Sequence, residues 1–284
     1  MQSWVLNYSC PDISGIQSAV STYLFEQGGF IEEIKAYSDP DTKQFISRIV
    51  FRFEGDAPVP IEDFKSGFNA VAERLQMSWS VTDQNYRPAT VIAVSKFGHC
   101  LNDLLHRWKN GALPIDIKAI ISNHETMRPI SEWFGIPYHH IPISKQTKLE
   151  SETEFYKTVE EYDTELVILA RYMQILSDGL AAKLSGRCIN IHHSFLPSFK
   201  GAKPYHQAHD RGVKLIGATA HYVTSDLDEG PIIEQDVERV DHEATADQLV
   251  QIGSSIEARV LSRAVQWHAE KRVFLNQNKT VVFK

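Results

Sequence analysis

Cys188-Ile189-Asn190-Ile191-His192-His193-Ser194-Phe195-Leu196-Pro197 runs from an apolar strand into a polar tip. Working outward from it, residues 166–169 (Leu-Val-Ile-Leu), 115–121 and 91–94 (Val-Ile-Ala-Val) are similar continuous apolar runs. A helical pattern, residues 101–108, separates the first two in chain order. Short strands that are apolar on both faces, alternating with helices, predict a parallel sheet covered on both sides. Residues 215–223 and 232–240 are longer runs split by the turn-rich 225–231, which predicts a hairpin, and 245–271 predicts one long helix. Residues 280–283 are expected as a final edge strand.

The first 83 residues follow a different grammar. Residues 4–8 are strand-like, and Cys10-Pro11-Asp12-Ile13-Ser14-Gly15 is a turn rich in helix-starting residues. Ile16, Val20 and Leu24 recur every four residues, giving a helix with one apolar face, and Gly28-Gly29 ends it. Residues 30–37 and 45–53 make a strand pair about the turn 39–41. Pro60 opens a second helix with Ile61, Phe64, Phe68, Val71 and Leu75 on one side, and 77–81 is a last strand. The order βαββαβ predicts a ferredoxin-like unit over 1–83. The polar, Pro-bearing stretch 82–88 reads as the linker to a second unit that runs from 84 to 284.

Composition limits the function classes. The chain has 284 residues, 43% of them hydrophobic and 23% charged, which excludes disordered and fibrous classes. Lys plus Arg is 29 against 36 Asp plus Glu, so a net charge of −7 gives no diffuse basic field for nucleic acid. Three scattered cysteines, Cys10, Cys100 and Cys188, are too few for a disulfide framework and fit a reducing, cytoplasmic setting. No stretch is apolar over the roughly 20 residues a membrane span needs, so no membrane association is expected.

Chemistry concentrates at the tip of the 188–191 strand. Ligands of open α/β sheets bind beyond the carboxyl ends of strands. Asn190 and His192, two apart, should point the same way and place an amide donor beside an imidazole. That pair suits a carbonyl reaction, with the amide on a developing oxyanion and the imidazole exchanging its proton; polar residues merely meeting water would read the same way. His221-Tyr222-Val223-Thr224-Ser225-Asp226-Leu227-Asp228-Glu229-Gly230-Pro231, in the hairpin turn, could add a carboxylate. His206 and His209 lie three apart on a helical stretch. No convergent triad of histidines is evident, and neighbours such as His192 and His193 on a strand should face opposite ways, so no metal site is expected.

Asn190-Ile191-His192 with Ser194-Phe195-Leu196-Pro197 resembles a motif of the folate-dependent formyltransferases, and His221 and Asp228 followed by Glu229-Gly230-Pro231 resemble their second motif. The fuller runs 192–199, 201–205 and 217–224 are similar to the formyltetrahydrofolate deformylase family, in which an ACT domain precedes a formyltransferase-like domain. The resemblance covers nearly the whole chain. It implies a Rossmann-like, mostly parallel second domain and an ACT domain over 1–83. It implies hydrolysis of 10-formyltetrahydrofolate to formate and tetrahydrofolate, with no cofactor, in one-carbon metabolism that supplies formate for purine synthesis.

The resemblance also implies roles. Asn190 would bind the formyl oxygen, His192 would assist as proton donor or imidazolium, and Asp228 would orient His192 and water. Residues 170–176 resemble the pterin-binding loop, with Met173, Gln174 and Leu176 on the heterocycle and Thr224 on the opposing wall. An ACT unit implies an amino-acid effector and a homo-oligomer. Two departures stand out. Val94-Ser95-Lys96-Phe97-Gly98-His99-Cys100 has one glycine where a phosphate loop for an amine acceptor would be glycine-rich. That favours water as the attacker over transfer to an amine, and the full set Asn190, His192 and Asp228 argues against a purely regulatory, inactive second domain. His193 stands where many relatives have Pro, with no assigned role.

Overall fold

The computed structural model describes residues 2–55, 59–196 and 204–284. The motif residues Pro197, Ser198, Phe199, Gly201, Ala202 and Lys203 lie outside the described residues.

The chain divides into two compact units. The first is Met1–Tyr86 with Glu270–Asn276 and Val281–Lys284, and the second is Arg87–Ala269 with Gln277–Thr280. The C-terminal segments therefore return largely to the first unit, whereas the sequence reading ran the second unit to residue 284.

In the first unit, β1 (Ser3–Pro11), α1 (Ile16–Glu26), β2 (Gly29–Asp39), β3 (Gln44–Phe53), α2 (Ile61–Arg74) and β4 (Ser78–Asp83) follow one another. The sheet order is β2-β3-β1-β4, with β1 antiparallel to both β3 and β4. The four-residue spacing in the sequence puts Ile16, Val20 and Leu24 of α1 and Phe64, Phe68 and Ala72 of α2 into one core with Leu6, Tyr8 and Phe51. That core is aromatic-rich, with the Phe64 and Phe68 rings stacked 6.0 Å apart.

The second unit contains β5 (Ala89–Val94), α3 (His99–Lys109), β6 (Asp116–Ser122), α4 (Arg128–Phe134), β7 (Tyr138–His140), α5 (Lys148–Glu161), β8 (Leu166–Leu169), α6 (Asp178–Lys183), β9 (Cys188–His192), α7 (Pro204–Asp210), β10 (Leu215–Tyr222), β11 (Ile232–Arg239) and α8 (Ala246–Ala269). The sheet order is β11-β10-β9-β8-β5-β6-β7. Strands β7, β6, β5, β8 and β9 run parallel, and β10 and β11 close the other edge as an antiparallel hairpin. This is the mixed, mostly parallel α/β sheet the apolar runs implied. Four buried residues of α3, Cys100, Leu101, Leu104 and Leu105, form one stripe, and α8 buries Leu249, Gly253, Ile256, Val260, Leu261, Ala264 and Val265 at spacings of one, three and four. One charged residue, Glu257, lies among the buried residues of α8.

The final strand forms differently from the expectation. β12 (Val273–Asn276) and β13 (Lys279–Val282) pair with each other as a separate hairpin and do not edge the large sheet. Among the described residues no helix is long and apolar enough to cross a membrane.

Candidate active site

The switch from β8 to β9 places two carboxyl ends side by side, and the antiparallel β10 lies against β9 in a fixed register. Thr219 pairs with His192, and His221 pairs with Asn190. A cavity of about 340 Å³ opens there, lined by the ends of β8 and β9, residues 171–176, and the 223–228 segment after β10. That volume is at the small end of ordinary ligand pockets. Asn190, His192, Asp228, Met173, Gln174, Leu176 and Thr224 all line it, so these seven meet in one place, whereas His206 and His209 are not in the lining.

The pocket's polar groups form a connected set. His192 Nδ1 lies 3.2 Å from Asp228 Oδ2. His221 Nδ1 is 2.9 Å from the Tyr222 carbonyl oxygen, and its Nε2 is 3.2 Å from Asn190 Nδ2. A carbonyl oxygen only accepts, so His221 Nδ1 carries the proton and donates, and in the neutral ring Nε2 accepts from the Asn190 amide. This holds the Asn190 carboxamide in one rotamer and leaves the second hydrogen of its nitrogen for the pocket. His192 Nε2 is buried and has no hydrogen-bond partner among the described residues.

Asp228 sits at φ 58°, a left-handed conformation that Asp tolerates better than most side chains. Two residues on, Gly230 is required by close approach: a Cβ there would stand 1.7 Å from the Tyr222 carbonyl oxygen. The turn is thereby pressed onto β10, which aims Asp228 at both histidines, with His221 Nε2 3.8 Å from Oδ1. Burial opposes ionisation of Asp228, but the hydrogen bond from His192 and the positive charge that either neighbouring histidine carries when protonated outweigh it. They hold the carboxyl well below the usual carboxylate range.

His193 corrects the expectation from strand alternation. β9 ends at His192, so His193 lies past the last pleat, and its ring stacks on that of His192 with centroids 5.2 Å apart. Both rings line the cavity. Burial, then the nearby Arg171 guanidinium, pushes the His193 pKa down to about 4, so it is neutral at pH 7.

Behind His193 is a polar cluster that no local sequence pattern announces. Glu257 Oε1 accepts from Tyr205 Oη at 2.7 Å, and Oε2 lies 2.8 Å from His99 Nε2 and 3.3 Å from Arg171 Nε. Gly253 makes room for this, since a Cβ there would stand 2.1 Å from the Tyr205 ring. Burial works against the Glu257 charge, but the His99 hydrogen bond and the Arg171 charge keep its carboxyl below the usual range. Residues three or more elements apart build the cluster, so only the tertiary fold reveals it. His99, Cys100 and Glu257 are spaced closely enough for a metal ion. The donor set suits one poorly, because Arg171 already shares the Glu257 oxygen and burial pushes the Cys100 thiol well above its ordinary value.

The glycine-poor stretch after β5 has other work. The Ser95 hydroxyl donates to Asn123 Oδ1 at 2.7 Å and accepts from the Met173 amide at 3.0 Å, and the Ser95 amide donates to the Arg171 carbonyl at 3.2 Å. These bonds brace the 171–176 wall of the cavity.

The formyl transferase family model matches residues 89–265. Formyltetrahydrofolate deformylase of Corynebacterium sp. (strain P-1) is 50% identical across 99% of this chain and 98% of its own length. That of Bacillus subtilis (strain 168) is 49% identical across 97% of this chain and 92% of its own. A crystal structure of formyltetrahydrofolate deformylase from Burkholderia mallei superposes with a TM-score of 0.95 at 48% identity, covering 100% of both chains. Glycinamide ribonucleotide transformylase 1 from Symbiobacterium toebii superposes with a TM-score of 0.66 at 26% identity over 71% of this chain.

Proposed function

The chain belongs to the formyltetrahydrofolate deformylases, and from that premise we propose that it hydrolyses 10-formyltetrahydrofolate to formate and tetrahydrofolate in the cavity lined by Asn190, His192 and Asp228. The observation that carries this reading is the pairing on His192, a ring that lines the pocket: an ionised Asp228 on Nδ1 and a buried Nε2 with no hydrogen-bond partner among the described residues. A carboxylate accepts only, so it keeps the proton on Nδ1 and leaves Nε2 of the neutral ring bare for a reacting proton.

In this reading water is the nucleophile. Its oxygen bonds to the formyl carbon as Nε2 of His192 takes its proton. The carbonyl pair becomes an oxyanion, met by the Asn190 amide hydrogen and by the new Nε2–H. The carbon–N10 bond then breaks, its electron pair goes to N10, and the imidazolium returns the proton there. Formic acid ionises on release, so the sum is water plus substrate to formate, tetrahydrofolate and one proton. The apolar side chains of Met173 and Leu176 offer the heterocycle a wall, with Gln174 and Thr224 as polar contacts.

Similarity to deformylases extends over nearly the whole chain, while that to the transformylase covers 71% of it. This favours water over an amine as acceptor. The first unit's βαββαβ order supports an ACT-like regulatory domain, with an amino-acid effector and assembly of copies. The formate would feed a one-carbon demand such as purine synthesis.

The test is an assay with no amine acceptor. Purified protein and 10-formyltetrahydrofolate should yield formate and tetrahydrofolate one for one, and Asn190→Ala should stay folded and lose about 10²–10³ in rate. Formate release that requires an added amine, or full turnover by Asn190→Ala, would overturn the reading.

A further inference from the structure

Arg171 lies two residues past the end of β8 and is the one Lys or Arg among the described residues that line the cavity. Its backbone sits at φ 63°, where a side chain costs about 1 kcal/mol or more relative to glycine. Its side chain is only 11% exposed. A guanidinium so buried normally has its donors met, because an unmet charged donor in the interior is expensive. Here Nε and Nη1 are both buried without an aligned hydrogen-bond partner among the described residues. Glu257 supplies charge at 3.3 Å but divides its two oxygens among His99, Tyr205 and Arg171. The Phe97 ring, 5.5 Å from Cζ, offers a π-face and no acceptor. Arg171 is thus a buried cation with unmet donors, in the lining of a pocket whose proposed reaction makes an anion.

We propose that Arg171 forms a subsite for a small carboxylate, the formate product, at the reaction end of the cavity; this rests on the hydrolytic reading above. Carboxylates match guanidinium geometry and charge. Formate born between Asn190 and His192 lies near the Asp228 carboxylate, which repels it, and Arg171 is the fixed positive charge among the described lining residues. His193, neutral and stacked on His192, stands beside this path without competing for the anion.

The test uses ¹³C-formate titrated into the full-length protein and followed by NMR line broadening. Wild type should bind formate saturably, and binding should persist with tetrahydrofolate present. Arg171→Met should weaken it at least tenfold. Arg171→Gly, which suits the backbone at φ 63°, should do the same and guards against misfolding of the first variant. Glu257→Gln, which removes the counter-charge, should tighten formate several-fold. The site is overturned if wild type shows no saturable binding, if both Arg171 variants bind within twofold of wild type, or if Glu257→Gln weakens formate as Arg171→Met does. It is equally overturned if Arg171→Met weakens tetrahydrofolate and leaves formate unchanged. Turnover of 10-formyltetrahydrofolate is scored separately. A protein that turns over but binds no formate loses this site alone, and one that binds formate through Arg171 but releases none loses the hydrolytic reading alone.

Discussion

Asn190 and His221 face each other across the β9–β10 register, with the amide nitrogen 3.2 Å from the imidazole Nε2. His221 is in turn tied through Nδ1 to the Tyr222 carbonyl. The carboxamide proposed to meet the substrate oxygen is therefore oriented by the His221 ring.

Substituting either partner should test that coupling. Asn190→Ala removes the donor, while His221→Ala frees its rotamer and should lower kcat about tenfold with little change in KM. In a double-mutant cycle the two should be non-additive by about 1–2 kcal/mol, since the second change has nothing left to disorient. Additive losses would show that His221 acts elsewhere.

Asp228→Asn keeps the shape and suits the left-handed backbone at φ 58° but removes the charge that fixes the His192 tautomer. Melting should shift little, and kcat should fall by about 10²–10⁴. Because the Asp228 carboxyl is held well below the usual range, an acid limb in the wild-type rate profile above pH 4 must belong to another group. A limb that disappears in Asp228→Asn and follows a carboxylate of ordinary strength would contradict this.

His193 should mark the pH dependence of stability. Its pKa is about 4 in the folded chain against 6.5 for an ordinary imidazole, so the unfolded chain takes up a proton first. Stability is therefore full above about pH 6.5 and falls as pH drops towards 4, by about 3 kcal/mol. Urea midpoints at pH 7 and pH 4.5 should differ more for wild type than for His193→Asn. Equal slopes for the two proteins would remove His193 as the cause.

Gly230→Ala puts a methyl where the Tyr222 carbonyl stands. The turn must move off β10, displacing Asp228. Activity should fall with a loss of about 2–4 kcal/mol in stability, measured by thermal unfolding and turnover together. A variant that melts and turns over like wild type would show that the turn adapts freely.

Much of this was legible in the residues. Short β-branched apolar runs such as Val91–Val94, repeated between helical stretches, fit buried strands, and the two-residue spacing of Asn190 and His192 fixes a shared face while the strand lasts. His193 broke the rule because β9 stops one residue earlier, and a strand end is the least legible boundary in a sequence. Helices α4 and α5 and strand β7 left no clear period in residues 122–165, since β7 is three residues long and α5 carries mostly polar side chains. The Glu257 cluster was invisible because its members come from α3, α7, α8 and the end of β8. Nothing local marks Glu257 except that a charge interrupts a mostly apolar helix face.

The three polar residues of the proposed reaction ride on unequal supports. Asn190 and His192 belong to β9, an interior strand clasped by β8 and β10, whereas Asp228 hangs on the exposed bend between β10 and β11. Warming should loosen that bend first, so the enzyme falls silent while its sheet is still intact. Hydrogen exchange would register the event as early labelling at 224–230 with β9 still protected, and cooling should restore turnover without any refolding step.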